Sequence, residues 1–210
     1  MKAKRSAQAS NATAAPADTR KWFVVAIALT LAGILFWRQA TAVDPQLEKQ
    51  AGTRHLLEGR PSEAVPCFER ALTVTDDAET RFQLANALKA AGRAADASRE
   101  YKRALTLDPH NSAIWFNFGN LLRSEFHDTR NALEAYRRAT ENDPNFADAQ
   151  FSLGAMLLES GDFEAAVATL QSALQIAPPG VAWRADAETT LDVARLRAAE
   201  AKGLLPPPRK

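Results

Sequence analysis

The pattern of apolar and polar residues divides the chain into two parts. From Trp22 to Trp37, sixteen residues in a row carry no charge, and a helix built from them would have no polar face. After about residue 45, apolar residues recur at intervals of three and four, with charged residues between them, which is the pattern of amphipathic helices. The chain is therefore expected to be all-α, with an apolar segment ahead of a helical domain.

The helical part of the sequence repeats itself. Four stretches each carry an alanine, then Phe, Tyr or Leu four residues later, then a second alanine three residues further on. These second alanines are Ala71, Ala104, Ala139 and Ala173. The steps between them are 33, 35 and 34 residues, and a period of this length in helix-forming sequence is the signature of a repeat protein.

Each repeat predicts a pair of helices that cross closely. A small residue precedes the first alanine by twelve or thirteen positions, at Gly52, Ala85, Gly119 and Gly154. Small residues there let paired helices approach within about 8–10 Å. Glycines between the paired helices and prolines after them are typical helix ends, namely Gly59, Gly92, Gly161, Pro109, Pro144 and Pro178.

This pattern predicts the organisation of the whole helical part. We expect four units, at about 45–77, 78–111, 112–146 and 147–180, and a Pro-rich tail at 203–210. Between them, residues 181–202 are expected to form a helix that caps the open end of the fourth unit, because the last repeat of a solenoid has no neighbour to cover it. Its predicted apolar side consists of Trp183, Ala187, Leu191, Ala194 and Leu196.

The repeated residues resemble the tetratricopeptide repeat family. The third unit fills the eight marked positions of that family with Trp115, Phe118, Gly119, Leu122, Ala132, Tyr136, Ala139 and Pro144. The second unit has Arg81 in place of the tryptophan, and the first has His55 in place of a large aromatic residue. The resemblance covers residues 45–178. It implies a right-handed α-solenoid that binds a protein or peptide partner and has no enzymatic activity.

In this family the first helix of each unit lines a concave groove, so positions 2, 5, 9 and 12 of a unit are expected to face a partner. The candidate peptide-binding residues are Lys49, Phe82, Asn86, Lys89, Phe116, Asn117, Asn120, Arg123 and Phe151. Asparagine amides can bond to a peptide backbone, the cations suit carboxylates, and phenylalanine offers apolar contact. The alternative is that these phenylalanines pack against the adjacent unit or beneath the capping helix.

Charge and hydropathy suggest a membrane anchor at the N terminus. Residues 1–43 have a net charge of +5, whereas the rest of the chain has a net charge of −4. Residues 1–21 are expected to be a disordered basic tail and 22–43 a transmembrane helix. Since basic residues cluster before the span, the tail would be cytoplasmic and the repeats extracytoplasmic, or periplasmic in a bacterium. Two alternatives remain: a signal peptide cleaved after Ala42, and a buried soluble helix.

No recognised catalytic or metal-binding motif is present in the sequence. A single cysteine, Cys67, excludes an intrachain disulfide and is expected to be a small packed side chain. No cofactor, metal or nucleic-acid partner is expected, and the net charge of +1 gives no reason to expect nucleic-acid binding. The sequence therefore predicts a scaffold that binds a partner polypeptide, in envelope or membrane-associated assembly. A self-associating solenoid and a non-catalytic subunit of an enzyme complex are the alternatives.

Overall fold

The computed structural model describes residues 23–32 and 43–204, which belong to two separate units divided at residue 43. Residues 23–32 are helical, here named α1, and every residue of α1 is exposed. The predicted tail at 1–21 and half of the predicted anchor at 22–43 lie outside the described residues. None of the helices in the described ranges has the length and apolar character needed to cross a membrane.

Residues 43–204 contain nine further helices, and the first eight form four antiparallel pairs. The pairs are α2 (Pro45–Leu57) with α3 (Pro61–Leu72), α4 (Ala78–Ala90) with α5 (Ala94–Leu107), α6 (Ser112–Ser124) with α7 (Thr129–Asn142), and α8 (Ala147–Ser160) with α9 (Phe163–Ile176). The last helix is α10 (Arg184–Ala201). Each second helix also packs against the first helix of the next pair, so the pairs stack into an all-helical solenoid. The four pairs lie within the four predicted units.

Most helix ends follow local sequence signals. Asp44, Asp77, Asn111, Asp128 and Asp162 each accept a backbone N–H at a helix start. Gly59, Gly92 and Gly161 have φ of 70°, 75° and 85° in the turn within the first, second and fourth units. The third unit, which is one residue longer here, uses His127 with φ of 52° instead. A left-handed residue is therefore present in all four turns, although only three of them contain glycine.

The predicted helix crossings are confirmed by the packing of the small residues. A Cβ atom added to Gly119 would lie 2.9 Å from Cε1 of Tyr136, and one added to Gly154 would lie 2.7 Å from Cγ of Leu170. Gly52 meets the ring of Phe68 in the same way, at 2.7 Å. Tyr101, Tyr136, Phe68 and Leu170 are all fully buried. The core of each unit is thus one large side chain of the second helix pressed onto the first.

The position of the family's tryptophan links the second, third and fourth units to the turn before each of them. Trp115 Nε1 donates to the Pro109 carbonyl at 2.8 Å, and Gln150 Nε2 donates to the Pro144 carbonyl at 2.5 Å. Arg81, at the same position in the second unit, pairs with Asp76 at 2.5 Å and with the buried Glu100 at 2.6 Å. Different residue types therefore do the same structural work, which explains why the tryptophan can be replaced.

Helix α10 caps the fourth unit, but the prediction that Leu196 belongs to its buried side is wrong. Ala187, Leu191 and Ala194 are buried against the end of the solenoid. Leu196 is 49% exposed because it lies two residues past Ala194, about 200° around the helix. Helix α10 contacts α9 and also α8, just as α4 contacts α3 and α2. It therefore takes the place that the first helix of a fifth unit would have.

Candidate functional site

The first helices of successive units lie side by side, since α2 contacts α4 and α4 contacts α6. These first helices carry all nine predicted site residues, and eight of them make no side-chain hydrogen bond to their own helix. We call these the groove face: Lys49, Phe82, Asn86, Lys89, Phe116, Asn120, Arg123 and Phe151. All eight are partly or fully exposed, so none is lost in the core. The ninth, Asn117, donates Nδ2 to the Ala113 carbonyl of its own helix at 2.9 Å.

The two asparagines of the groove face have the same environment in adjacent units. The Tyr101 hydroxyl donates to Asn86 Oδ1 at 2.5 Å, and the Tyr136 hydroxyl donates to Asn120 Oδ1 at 2.8 Å. Burial raises the pKa of both phenols, so the hydroxyls keep their protons and remain donors. Each amide oxygen is therefore turned toward a buried tyrosine, and each amide nitrogen remains available to donate to a partner.

The sequence contains a signal for these tyrosine–asparagine hydrogen bonds that the predicted site residues did not take into account. Each tyrosine follows its asparagine by 15 or 16 residues, and the two residue types occur together in the second and third units. In the first and fourth units both are replaced, by Thr53 with Phe68 and by Ala155 with Leu170. Joint presence or joint loss of a donor and an acceptor is what a hydrogen bond between them predicts.

Position 5 of each unit is expected to face a partner, yet three of the four side chains there are covered. Lys49 Nζ pairs with Asp77 Oδ2 at 2.8 Å. The Phe116 ring lies 4.9 Å from that of Phe146, measured between centroids. The Phe151 ring stacks on Trp183, with centroids 4.9 Å apart and planes 7° from parallel. In each case the covering residue is the N-cap of the helix that follows the unit's second helix, namely α4, α8 or α10.

Phe82 is the exception among the position-5 residues. The next N-cap residue, Asn111, uses its side chain locally: Oδ1 accepts from the Ile114 N–H and Nδ2 donates to Asp108. Phe82 packs on Tyr101 below it, with ring centroids 6.2 Å apart. Phe82 is partly exposed, and within the described part of the chain no N-cap ring stacks on it. The predicted alternative, in which phenylalanines pack on the next unit or under the cap, is right for Phe116 and Phe151.

Two cations flank the asparagines. Lys89 makes no ion pair with any residue in the described ranges. Arg123 Nη2 lies 3.5 Å from Glu159 Oε1, and the two side chains are 49% and 54% exposed. Solvent therefore screens this ion pair, and it contributes little to stability. Both cations can therefore turn toward an acidic ligand. Lys49 is less available, because its partner Asp77 also caps α4 through Thr80.

The Lys49–Asp77 pair has a consequence for acid stability. Partial burial raises the pKa of Asp77, but hydrogen bonds from Lys49 and Thr80 together lower it by more. The pKa of this carboxyl therefore lies below its usual value of 3.8. A carboxyl whose pKa is lower in the folded state stabilises the fold above its unfolded pKa and loses that effect as the pH falls through the folded pKa. The junction between the first two units should therefore be acid-sensitive.

Within residues 23–32 and 43–204, no three His, Cys, Asp or Glu residues are grouped so that they could hold a metal ion. Cys67 is buried, as expected, and its Sγ lies 3.3 Å from Arg70 Nη2. The groove face instead combines amide donors, two cations and one open aromatic ring.

Family comparison identifies the repeat. Two models of the tetratricopeptide repeat match consecutive stretches of the chain, residues 78–121 and 122–181. Both matches are to a repeat rather than to an enzyme family. These matches agree with the tetratricopeptide resemblance of the second, third and fourth units. No curated protein sequence matches the chain.

Solved structures share the fold. Two crystal structures of MamA align with TM-scores of 0.56 and 0.58 at 19% identity, covering 72% and 79% of this chain and 96% and 98% of theirs. The crystal structure of YrrB, described as a tetratricopeptide repeat protein with an unusual peptide-binding site, aligns with a TM-score of 0.58 at 21% identity. That alignment covers 83% of this chain and 87% of YrrB. At these identities the likeness establishes the fold alone.

Proposed function

We propose that this protein is a non-enzymatic scaffold that binds an extended segment of a partner polypeptide across the groove face of its second and third units. The observation that supports this most strongly is the pair of equivalent asparagines, Asn86 and Asn120, each held by a tyrosine so that its amide nitrogen can donate outward. Donors repeated at the spacing of adjacent units suit a ligand that is itself periodic, such as an extended backbone with regularly spaced carbonyls.

The flanking residues favour an acidic segment with an apolar side chain. Lys89 and Arg123 lie one turn beyond the asparagines and are free or weakly paired. A carboxylate placed there would receive charge-assisted hydrogen bonds, which are about twice as strong as neutral ones. Phe82 adds an apolar contact next to them. The partner segment would therefore carry an acidic side chain or a C-terminal carboxylate near the cations and an apolar residue over Phe82.

The experiment is a peptide selection on the full chain, followed by affinity measurements on variants. Peptides of about twelve residues with free C termini would be selected, and binding measured by fluorescence anisotropy. Replacing both Asn86 and Asn120 by alanine should weaken binding by about fivefold to a hundredfold, since each lost hydrogen bond costs about 0.5–1.5 kcal/mol. Unchanged affinity in a folded double variant would contradict the proposal.

The matched control is Asn117→Ala. Asn117 is an asparagine of the same helix as Asn120, but its amide bonds to its own backbone. Its replacement should leave peptide affinity unchanged. Replacing Lys89 and Arg123 by alanine should weaken acidic peptides more than neutral ones and reduce the dependence of binding on salt. Equal losses for acidic and neutral peptides would exclude a charge-based role for these two residues.

We further propose that residues 22–43 anchor the protein in a membrane, with the repeats on the extracytoplasmic side. The support is the uncharged run between Trp22 and Trp37 and the excess of basic residues before it. In α1 the side chains of Phe23, Ile27 and Leu29 are more than half exposed, and such apolar surface is stable only against lipid or another protein. A role in envelope assembly, such as cytochrome c maturation, pilus or secretion machinery, would follow from that location.

Topology can be tested separately from peptide binding. A reporter that is active only outside the cytoplasm, fused after Lys210, should be active, and the protein should stay with membranes after a carbonate wash. An inactive reporter would rule out the proposed orientation. Release of an active fusion into the wash would indicate cleavage after Ala42 instead of an anchor.

A further inference from the structure

The groove face of the fourth unit is occupied by the chain itself. The Trp183 ring stacks on Phe151 with centroids 4.9 Å apart and planes 7° from parallel, and its Nε1 donates to Asp148 Oδ1 at 2.7 Å. Phe151 and Asp148 are positions 5 and 2 of their unit, the positions expected to face a partner. One aromatic side chain is therefore held by a parallel ring on its face and a carboxylate at its N–H.

The capping helix does not depend on this contact for its position. Helix α10 is docked through the buried Ala187, Leu191 and Ala194. Its first residue, Arg184, donates to the Leu174 carbonyl through Nη1 at 3.3 Å and Nη2 at 3.2 Å. Trp183 lies outside the helix, after a connection that contains Gly180 with φ of 83°. The indole can therefore leave Phe151 while α10 stays in place.

We propose that Asp148 and Phe151 form a binding subsite for a tryptophan side chain, and that Trp183 is its internal occupant. A partner segment that extends along the groove to the fourth unit would insert its own tryptophan and displace Trp183. The second half of this statement rests on the function proposed above, whereas the subsite itself does not.

The chemistry of the subsite selects an aromatic ring that carries a hydrogen-bond donor at its edge, as indole does. The Phe151 ring can stack on any flat aromatic group. The Asp148 carboxylate, however, binds only a group that has an N–H or O–H donor at its ring edge. Phenylalanine has no such donor and would leave the carboxylate without its partner. Tryptophan satisfies both contacts, as the internal Trp183 does in this structure.

The subsite can be tested with free indole as the probe and the full chain carrying Trp183→Ala. Indole should bind this variant at least tenfold more tightly than it binds the unmodified chain, in which Trp183 competes. 1-Methylindole, which lacks the N–H, should bind the variant at least tenfold more weakly than indole does. Adding Asp148→Ala to the variant should abolish the difference between the two probes. Failure of indole to bind a folded Trp183→Ala variant would overturn the proposal.

A second measurement covers the case in which Trp183→Ala does not fold. In the unmodified chain, the indole N–H resonance of Trp183 can be assigned by comparison with Trp183→Phe. A short peptide containing one tryptophan should shift this resonance toward its solvent-exposed value, and the same peptide with phenylalanine should not. No shift at millimolar peptide would equally overturn the proposal. Carrying Asn86→Ala and Asn120→Ala into the indole experiment separates the two proposals, because indole binding should be unaffected by their loss.

Discussion

The second and fourth units present the same repeat positions in opposite states. Each has a phenylalanine at position 5, Phe82 in one and Phe151 in the other. Among the described residues no N-cap ring covers Phe82, whereas Phe151 is stacked against Trp183. The difference comes from the N-cap residue of the following helix: Asn111 uses its side chain to cap its own helix, and Trp183 has no capping hydrogen bond and lies on its neighbour.

This contrast shows that the accessibility of position 5 is set by the N-cap residue of the following helix pair and not by the repeat position itself. A pattern of equivalent positions predicts which side chains point toward the groove. It does not predict which of them the next unit covers. The open part of the groove face is therefore shorter than the solenoid and centred on the second and third units.

The largest expected effect tests whether the two units share the same core despite their different surfaces. Gly154→Leu and Ala85→Leu both place a large side chain at a buried helix crossing. Each should lower the free energy of unfolding by at least about 1–3 kcal/mol, since the added Cβ at Gly154 alone already lies 2.7 Å from Leu170. Urea denaturation would measure this. Ala168→Leu, at an exposed site of α9, is the control and should change stability little. Tolerance in only one unit would show that the cores differ.

The next prediction separates the open from the covered phenylalanine. Phe151→Ala should destabilise the fold by about 1–3 kcal/mol, because it removes a stacked aromatic pair as well as apolar contact. Phe82→Ala should instead act chiefly on peptide affinity, with a smaller loss of stability. Thermal melting and anisotropy on both variants give the four values needed. If Phe151→Ala weakened peptide binding without affecting stability, the distinction between the two units would be lost.

A smaller effect is expected from the tyrosine hydroxyls, which the second and third units have and the fourth does not. Tyr101→Phe and Tyr136→Phe each remove one hydrogen bond to an asparagine and should cost about 0.5–1.5 kcal/mol of stability. Peptide affinity should fall too, because the amide is no longer held in one orientation. A peptide affinity that stays constant in both variants would mean that the tyrosines do not orient the groove.

The smallest effect concerns the first junction, where position 5 is a lysine covered by an aspartate. Because the folded pKa of Asp77 lies below 3.8, its stabilising effect is present above that pH and is lost as the pH falls below it. Asp77→Asn should therefore lower stability at pH 7 and have less effect at pH 3. Urea denaturation at both pH values measures the difference between the two proteins. An equal deficit at both pH values would show that the charge of Asp77 is not what matters.

The sequence predicted the scaffold better than the site. Glycines, prolines and small crossing residues act within one unit, so their spacing was enough to predict the helix pairs, the crossings and the capping helix. The contacts that cover the groove face join residues 28 to 35 positions apart. Whether such a contact forms depends on what the N-cap side chain does locally, and hydrophobic periodicity carries no information about that. Leu196 was misplaced for a simpler reason, since the helical phase was not followed past Ala194.

The tyrosine–asparagine hydrogen bonds affect which peptides the groove face can bind. With each amide oxygen turned toward a core hydroxyl, the amide nitrogens are the groups that the two asparagines present to a peptide backbone. These two amides would bind the carbonyl groups of a peptide backbone and not its N–H groups. Substituting proline along a bound peptide would reveal this, because proline lacks the N–H but keeps the carbonyl. Proline-rich segments cannot pair as β-strands, because they lack backbone N–H donors. They would nevertheless bind here and keep every contact to the two amides.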